Sequence, residues 1–148
     1  MLKKVHASLV ILALLPGCVT AGLASQRAVI RAKDKVAPAL VHIRPVKQVF
    51  ARGEREEVVL VGSGFLITAD GFVVTNEHVV GQTSLVRCVL WNKEEVDAQV
   101  VGTDPDTDVA VLKLNTGQEN LPTVKLGSSA NLRAGQTVLA LGSPHGLA

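Results

Sequence analysis

The chain has 148 residues, of which 47% are hydrophobic, enough for one globular domain and too many for an intrinsically disordered chain. Aromatic residues make up only 3%, with no tyrosine, so the sequence lacks an aromatic platform on which exposed bases could stack. The full chain has 15 basic and 13 acidic residues. Removal of residues 1–21 takes away Lys3 and Lys4 and leaves 13 of each, so the mature chain would have no net charge. We therefore expect no nucleic-acid partner.

Residues 1–21 have the pattern of an export signal. Lys3 and Lys4 precede an apolar run over residues 7–15, which is too short to span a bilayer as a helix. The LPGC that follows resembles a lipobox, in which Cys18 is lipidated, becomes the first mature residue and anchors the protein to a membrane. Cleavage after the small residues 19–21 is the alternative. Both routes predict an exported protein of the periplasm or cell envelope.

The cysteines predict no disulfide framework. Cys18 and Cys88 are the only two, and both processing routes leave Cys88 without an intramolecular partner. Because Cys88 lies in the apolar run LVRCVLW, we expect it to be a small core residue.

The segment before the first strand is predicted to be helical. Apolar residues recur at helical spacing over residues 26–37, and Pro38 ends the pattern. A strand is then predicted over residues 39–44. The charged stretch over residues 47–57 has the composition of a solvated loop.

From Val58 onward the sequence has an all-β pattern of short apolar segments separated by Gly, Asp and Asn. Asp70 and Gly71 predict a two-residue hairpin turn between antiparallel strands. A small antiparallel barrel is the expected architecture, in one domain over residues 26–148. The predicted strands cover residues 58–61, 64–68, 72–75, 85–91, 95–102, 110–114 and 136–141.

Two candidate catalytic residues stand at strand ends. His78 comes just after the strand over residues 72–75, and Asp108 comes directly before the strand over residues 110–114. A histidine that acts as a general base needs an acceptor on its other ring nitrogen, and a buried carboxylate supplies one. Asp108 suits this role better than Asp104 or Asp106 because buried-type residues follow it.

The segments TNEHVV and DPDTDVAVLK resemble the histidine and aspartate motifs of HtrA-type proteases, the bacterial branch of the chymotrypsin fold. The resemblance extends over roughly residues 28–147 and implies that His78 is the general base and Asp108 its orienting acid. It implies the first antiparallel barrel of a two-barrel chymotrypsin-like fold, with the second barrel largely missing. It further implies a serine endopeptidase of the cell envelope that serves protein quality control, acts on proteins or peptides, needs no cofactor and forms homo-oligomers at full length.

The nucleophile that the resemblance requires lies in a GNSGG-like turn, and no such turn occurs in the sequence. Ser63 precedes the hairpin, Ser128 and Ser129 lie in a GSSA turn, and Ser143 is followed by proline. We therefore expect the 148-residue chain to be inactive by itself. The alternative is a non-catalytic fragment or an interaction module derived from such a protease.

Other motifs favour structural roles. Asp104, Asp106 and Asp108 imitate the start of an EF-hand loop, but Val109 stands where its glycine is needed, so we expect no metal site. The GSG at residues 62–64 indicates close approach of strands. His42 and His145 are expected to be a packed or surface residue and a loop residue, and Gly127 and Gly142 turn residues.

Overall fold

The computed structural model describes residues 17–51, 54–81, 83 and 85–142. These residues form α1 (Gly17–Val36), a 3-10 turn (Ala37–Ala39), β1 (Leu40–Ala51), β2 (Glu54–Val59), β3 (Gly62–Leu66), β4 (Phe72–Thr75), α2 (Glu77–Val80), β5 (Leu85–Val89), β6 (Glu95–Asp104) and β7 (Val109–Leu114).

The strands close into an antiparallel barrel of six. The strand order is β1-β3-β4-β7-β6-β5, and β5 pairs with β1 to close the barrel. The strand β2 pairs with the C-terminal half of β1. The closing register places Ile43 opposite Cys88. Closure removes the unpaired sheet edges that would otherwise invite aggregation. The predicted small antiparallel barrel is thus confirmed.

The barrel is filled by the inward side chains of alternating strands. Burial alternates along β3, β4 and β7, as the two-residue period of a strand requires. The largest fully buried side chains include Ile43, Leu66, Leu112 and Leu114. Cys88 is also fully buried, as predicted, and desolvation raises the pKa of its thiol to about 12. It is a core residue and no nucleophile.

The GSG segment brings backbones together, as the sequence predicts. A Cβ at Gly64 would lie 2.7 Å from the carbonyl oxygen of Val74 on the paired strand and 2.8 Å from Ile43 Cδ1. A Cβ at Gly62 would collide with the side chain of Val79 on α2. The missing side chains therefore let β4 and α2 pack directly against β3.

The connection between β3 and β4 is longer than the predicted two-residue turn. Gly71 N donates to Thr68 O at 3.1 Å, which makes residues 68–71 a four-residue turn, and Ile67 N donates to Phe72 O at 2.9 Å. Gly71 has φ +101, whereas Asp70 does not have the positive φ that the predicted turn requires. Lys113 Nζ holds the turn by donating to Asp70 Oδ2 at 2.6 Å.

The prediction of a solvated loop over residues 47–57 is wrong. β1 continues to Ala51 and pairs antiparallel with β2, from Val46 opposite Val59 to Ala51 opposite Glu54. Charged residues are common on strands whose side chains meet water, so composition alone did not separate a two-stranded ribbon from a loop.

The predicted helix before β1 exists, but α1 begins at Gly17, nine residues earlier than the prediction. Residues 1–16 of the predicted export signal lie outside the described residues, and processing at Cys18 or after residue 21 stays a prediction. No helix among the described residues is long and apolar enough to cross a membrane.

The strand predicted over residues 136–141 does not form. A strand needs a neighbour with which to exchange backbone hydrogen bonds, and within the described part of the chain no strand pairs with these residues. Val138 is 71% exposed and Leu141 37% exposed, so the apolar pattern that predicted the strand faces solvent. His42, in contrast, is buried at 7% exposure, and His145 lies outside the described residues.

Candidate active site

Strand register brings His78 and Asp108 together across 30 positions of sequence. β4 pairs antiparallel with β7, with Thr75 opposite Ala110. The residues that follow β4 therefore lie beside the residues that precede β7. Glu77 N donates to Asp108 O at 3.2 Å and continues the pairing beyond the end of the strands.

The short helix α2 carries His78 and is anchored by its two valines. Val80 is fully buried and Val79 is 9% exposed, and both belong to the barrel core. The space left by Gly62 admits Val79. His78 is therefore held on a helix whose opposite side is packed, although its own side chain is 69% exposed.

Asp108 ends the turn between β6 and β7 and has φ +54. Aspartate is one of the few residues that adopt this left-handed conformation readily. The same turn is closed at its start by Asp104, whose Oδ1 accepts from Asp106 N at 3.1 Å and whose Oδ2 accepts from Thr107 Oγ1 at 2.6 Å. Asp104 is thus a turn-forming residue.

The carboxylate of Asp108 contacts His78 through both of its oxygens. His78 Nδ1 lies 2.8 Å from Oδ2 and 3.0 Å from Oδ1. His78 N donates to Oδ1 at 3.0 Å, which satisfies an amide that has no acceptor within the first turn of α2. Because an ionised carboxylate only accepts, Nδ1 carries the hydrogen and Nε2 is the nitrogen left for a reacting group.

Hydrogen bonds from His78 lower the pKa of Asp108 below its ordinary value of 3.8. The backbone amide of His78 is the largest cause, followed by its ring, and the Asn76 amide adds to the effect. The carboxylate is therefore ionised at neutral pH. It is 44% exposed, which corrects the expectation of a buried acid.

The other predicted site residues lie outside this arrangement. Asp104 contacts its own turn, and the side chain of Asp106 has no recorded contact with His78 or Asp108. Among the described residues, no group of histidine, cysteine and acidic side chains is arranged to hold a metal ion.

The candidate serines among the described residues lie on β3 and on the coil after β7. Ser63 lies within β3, and Ser128 Oγ accepts from Ala130 N at 3.3 Å in its own turn. Ser129 is also on the coil after β7, and Ser143 lies outside the described residues. Gly142 approaches Ser63, since a Cβ there would lie 3.0 Å from Ser63 Oγ.

Asn76 is a site residue that sequence reasoning missed. Its Nδ2 donates to Asp108 Oδ2 at 3.1 Å and to Asp108 O at 3.2 Å. The available signal was its place in TNEHVV, between the end of β4 and the candidate histidine. An asparagine directly before a short helix is normally interpreted as a helix cap. That interpretation does not predict a contact between Asn76 and Asp108.

The trypsin-like peptidase domain family matches residues 62–148. The match covers more than half of the chain and includes both site segments. The chain therefore belongs to the trypsin-like peptidase domain family.

The relatives specify this class further and confirm the HtrA-like resemblance. The chain is 51% identical over 96 residues to a Pseudomonas putida protein named "Probable periplasmic serine endoprotease DegP-like", which covers 64% of the chain. It is 40% identical over 114 residues to serine protease HTRA1A of Danio rerio, which covers 77% of the chain. The solved serine endoprotease of Yersinia pestis superposes with a TM-score of 0.53 at 28% identity over 66% of the chain.

The chain spans about a fifth of the curated relatives' length, 20% of the Pseudomonas putida protein and 23% of the Danio rerio protein. It spans 32% of the Yersinia pestis chain.

Proposed function

We propose that His78 and Asp108 are the general base and the orienting acid of a serine endopeptidase of the HtrA-like class. The observation that carries the proposal is the contact of 2.8 Å between His78 Nδ1 and Asp108 Oδ2, on a barrel of the matching fold. The substrates are proteins or peptides, and the working place is the periplasm or cell envelope, in keeping with the names of the bacterial relatives.

In this mechanism Nε2 of neutral His78 takes the proton of a serine hydroxyl as that oxygen attacks the scissile carbonyl. Asp108 keeps the hydrogen on Nδ1 and stabilises the imidazolium that forms. The same proton then passes to the leaving amine, and the acyl-enzyme is later hydrolysed by water. The imidazole must be neutral at the first step.

The serine that completes the mechanism is not among residues 1–148, because none of them lies in a GNSGG-like turn. The first test therefore treats the 148-residue chain with a fluorophosphonate probe and with casein. We expect neither labelling nor hydrolysis. Stoichiometric labelling of Ser63 or Ser128 would show that the assignment of the site is wrong.

The second test extends the chain with the C-terminal remainder of the Pseudomonas putida relative. The extended form should hydrolyse casein and should be labelled on one serine of the added part. His78→Ala should remove most of the hydrolysis with the far-ultraviolet circular dichroism unchanged. Full hydrolysis by the His78→Ala form would refute the general-base role.

An interaction module is the second candidate function, and the exposed apolar surface favours it. Trp91 is 50% exposed and Leu141 37% exposed where they line an open cavity of about 560 Å³ beside the 3-10 turn. If binding is the function, Trp91→Ala should weaken self-association or partner binding in sedimentation experiments, whereas His78→Ala should not.

Export is proposed through residues 1–21, with Cys18 lipidated or removed. Cells that make the chain should process it near residues 17 to 21, either before Cys18 or after residue 21. Mass spectrometry of the mature N-terminus distinguishes a diacylglyceryl Cys18 from an unmodified N-terminus after residue 21. An intact Met1 in the cytosolic fraction would contradict export.

A further inference from the structure

The side chain of Asn76 contacts the backbone and the carboxylate of one residue, Asp108. Asn76 Nδ2 donates one hydrogen to Asp108 O at 3.2 Å and the other to Asp108 Oδ2 at 3.1 Å. Oδ2 is also the oxygen that lies 2.8 Å from His78 Nδ1. The amide of Asn76 therefore meets the candidate acid on the same atom as the candidate base.

The orientation of the Asn76 amide follows from its partners. A backbone carbonyl and an ionised carboxylate can only accept hydrogen bonds, so the nitrogen and not the oxygen of the amide faces Asp108. Both hydrogens of Nδ2 are used, one on each acceptor. The side chain is thereby fixed at both of its donor positions.

Asn76 occupies the N-cap position of α2, but its side chain does not cap the helix. It is the N-cap residue of α2, where an asparagine oxygen usually accepts from one of the first helical amides, yet it makes no such bond. The amide of His78 donates to Asp108 Oδ1 instead, at 3.0 Å. Asp108 thus supplies the cap, and Asn76 is left to hold Asp108.

The backbone of Asp108 gives this contact its importance. With φ +54, Asp108 occupies the left-handed conformation, which is uncommon for non-glycine residues although aspartate adopts it more readily than most. Two donors reach its carbonyl oxygen, Glu77 N and Asn76 Nδ2, each at 3.2 Å. Loss of the Asn76 amide therefore removes one of the two donors to the carbonyl and, at the same time, a donor to Oδ2 of the carboxylate.

We propose that Asn76 is a positioning residue of the His78–Asp108 pair, because its amide keeps Asp108 Oδ2 directed at His78 Nδ1. The inference rests on the proposed function, in which that contact holds the imidazole ready to take a proton. Asn76 touches no reacting atom and acts through Asp108. Its loss should lower turnover while substrate binding stays unchanged.

The first test uses the unaltered 148-residue chain, so that it requires neither catalysis nor a variant. Nuclear magnetic resonance follows the Asp108 carboxyl carbon and the Asn76 side-chain amide through an acid titration. The two signals should move with the same midpoint, below 3.8 because the pKa of Asp108 is lowered. An Asn76 amide that does not respond as Asp108 titrates would overturn the proposal.

The second test compares Asn76→Ala and Asn76→Asp with Asn92→Ala in the same chain. Asn92 is a matched control, since it is also exposed and exchanges two hydrogen bonds, both with Glu94 in the turn after β5. Nitrogen-15 spectra report which ring nitrogen of His78 carries the hydrogen at neutral pH. Both Asn76 variants should lose part of the Nδ1–H form, and Asn92→Ala should keep it.

Asn76→Asp is the sharper of the two variants because it keeps the shape, removes both donors and places a second carboxylate beside Asp108. It should raise the Asp108 titration midpoint more than Asn76→Ala does. If Asn76→Ala fails to fold, Asn76→Asp and the titration of the unaltered chain still decide the matter. An unchanged His78 ring tautomer in a folded Asn76 variant would refute the positioning role.

The third test measures kinetics in the extended, serine-bearing form. Asn76→Ala should lower kcat by about 10 to 100-fold, the scale on which small misplacements near a reacting group act. KM should stay within about twofold, since no contact common to ground and transition state is removed. An equal loss through KM would overturn the proposal. Inactivity of the unmutated extended form would instead count against the proposed function, while the spectroscopic tests would still report on Asn76.

Discussion

The exchange Asp108→Asn tests the candidate site most directly, because it alters one atom of the carboxylate and retains its shape. Oδ1 accepts from His78 N at 3.0 Å, so the asparagine oxygen should occupy that position. The new NH₂ group then stands where Oδ2 meets His78 Nδ1 at 2.8 Å and Asn76 Nδ2 at 3.1 Å. Donors would face donors at both contacts.

His78 can relieve the contact at the former Oδ2 position by moving the ring hydrogen from Nδ1 to Nε2, in competition with the retained oxygen, which also lies 3.0 Å from Nδ1. In the Nε2–H form the ring cannot accept the proton of a serine, so the general base is lost although the shape of both side chains is retained. We expect kcat of the extended form to fall on the order of 10⁴-fold, the size measured for the same exchange in a chymotrypsin-type protease. KM should change little.

The assay is steady-state hydrolysis of casein by the extended form, with folding checked by circular dichroism. Asp104→Asn and Asp106→Asn are the matched controls. Asp104 accepts hydrogen bonds from Asp106 N and Thr107 Oγ1 in its own turn. The hydrogen bonds of His78 are with Asp108 instead. Both controls should keep most of the activity. Comparable losses at all three aspartates in folded proteins would refute the assignment of Asp108 and would point to a role of the whole turn.

Three further predictions concern stability. Leu112→Ala, at a fully buried position, should lower the free energy of unfolding by about 2–5 kcal/mol, whereas Val101→Ala, at a position 57% exposed, should change it by less than about 0.5 kcal/mol in urea titrations. Gly64→Ala should cost about 1–3 kcal/mol because of the 2.7 Å approach to a backbone oxygen, while Gly117→Ala, with nothing within 4 Å, should be nearly neutral; equal effects would contradict the packing. Since the folded pKa of Asp108 lies below 3.8, its stabilising contribution is present above that pH and lost as pH falls through the folded value, so the unaltered chain should lose stability there more steeply than Asp108→Asn does.

The sequence was most informative where side-chain period and turn chemistry agree. β4 was predicted with its observed bounds because FVVT alternates between the two faces and is bounded by a turn and by Asn76. The contact between His78 and Asp108 was expected because a general base needs an acceptor on its other nitrogen, and the family resemblance supported it. Its physical cause is the pairing of Thr75 with Ala110, a register that no local pattern encodes.

The features that sequence reasoning missed depend on partners far along the chain or on the conformation of a single residue. The β1–β2 ribbon has the composition of a loop, and only its pairing makes it two strands. Conversely, the apolar period over residues 136–141 predicts a strand, but none of the described strands pairs with it. Asn76 is a further feature that the sequence did not predict, because the role proposed for it depends on the backbone φ of +54 at Asp108. The positive φ of Asp108 and the missing side-chain cap of α2 both accompany the contact of Asn76 with Asp108, the acid of the proposed catalytic pair.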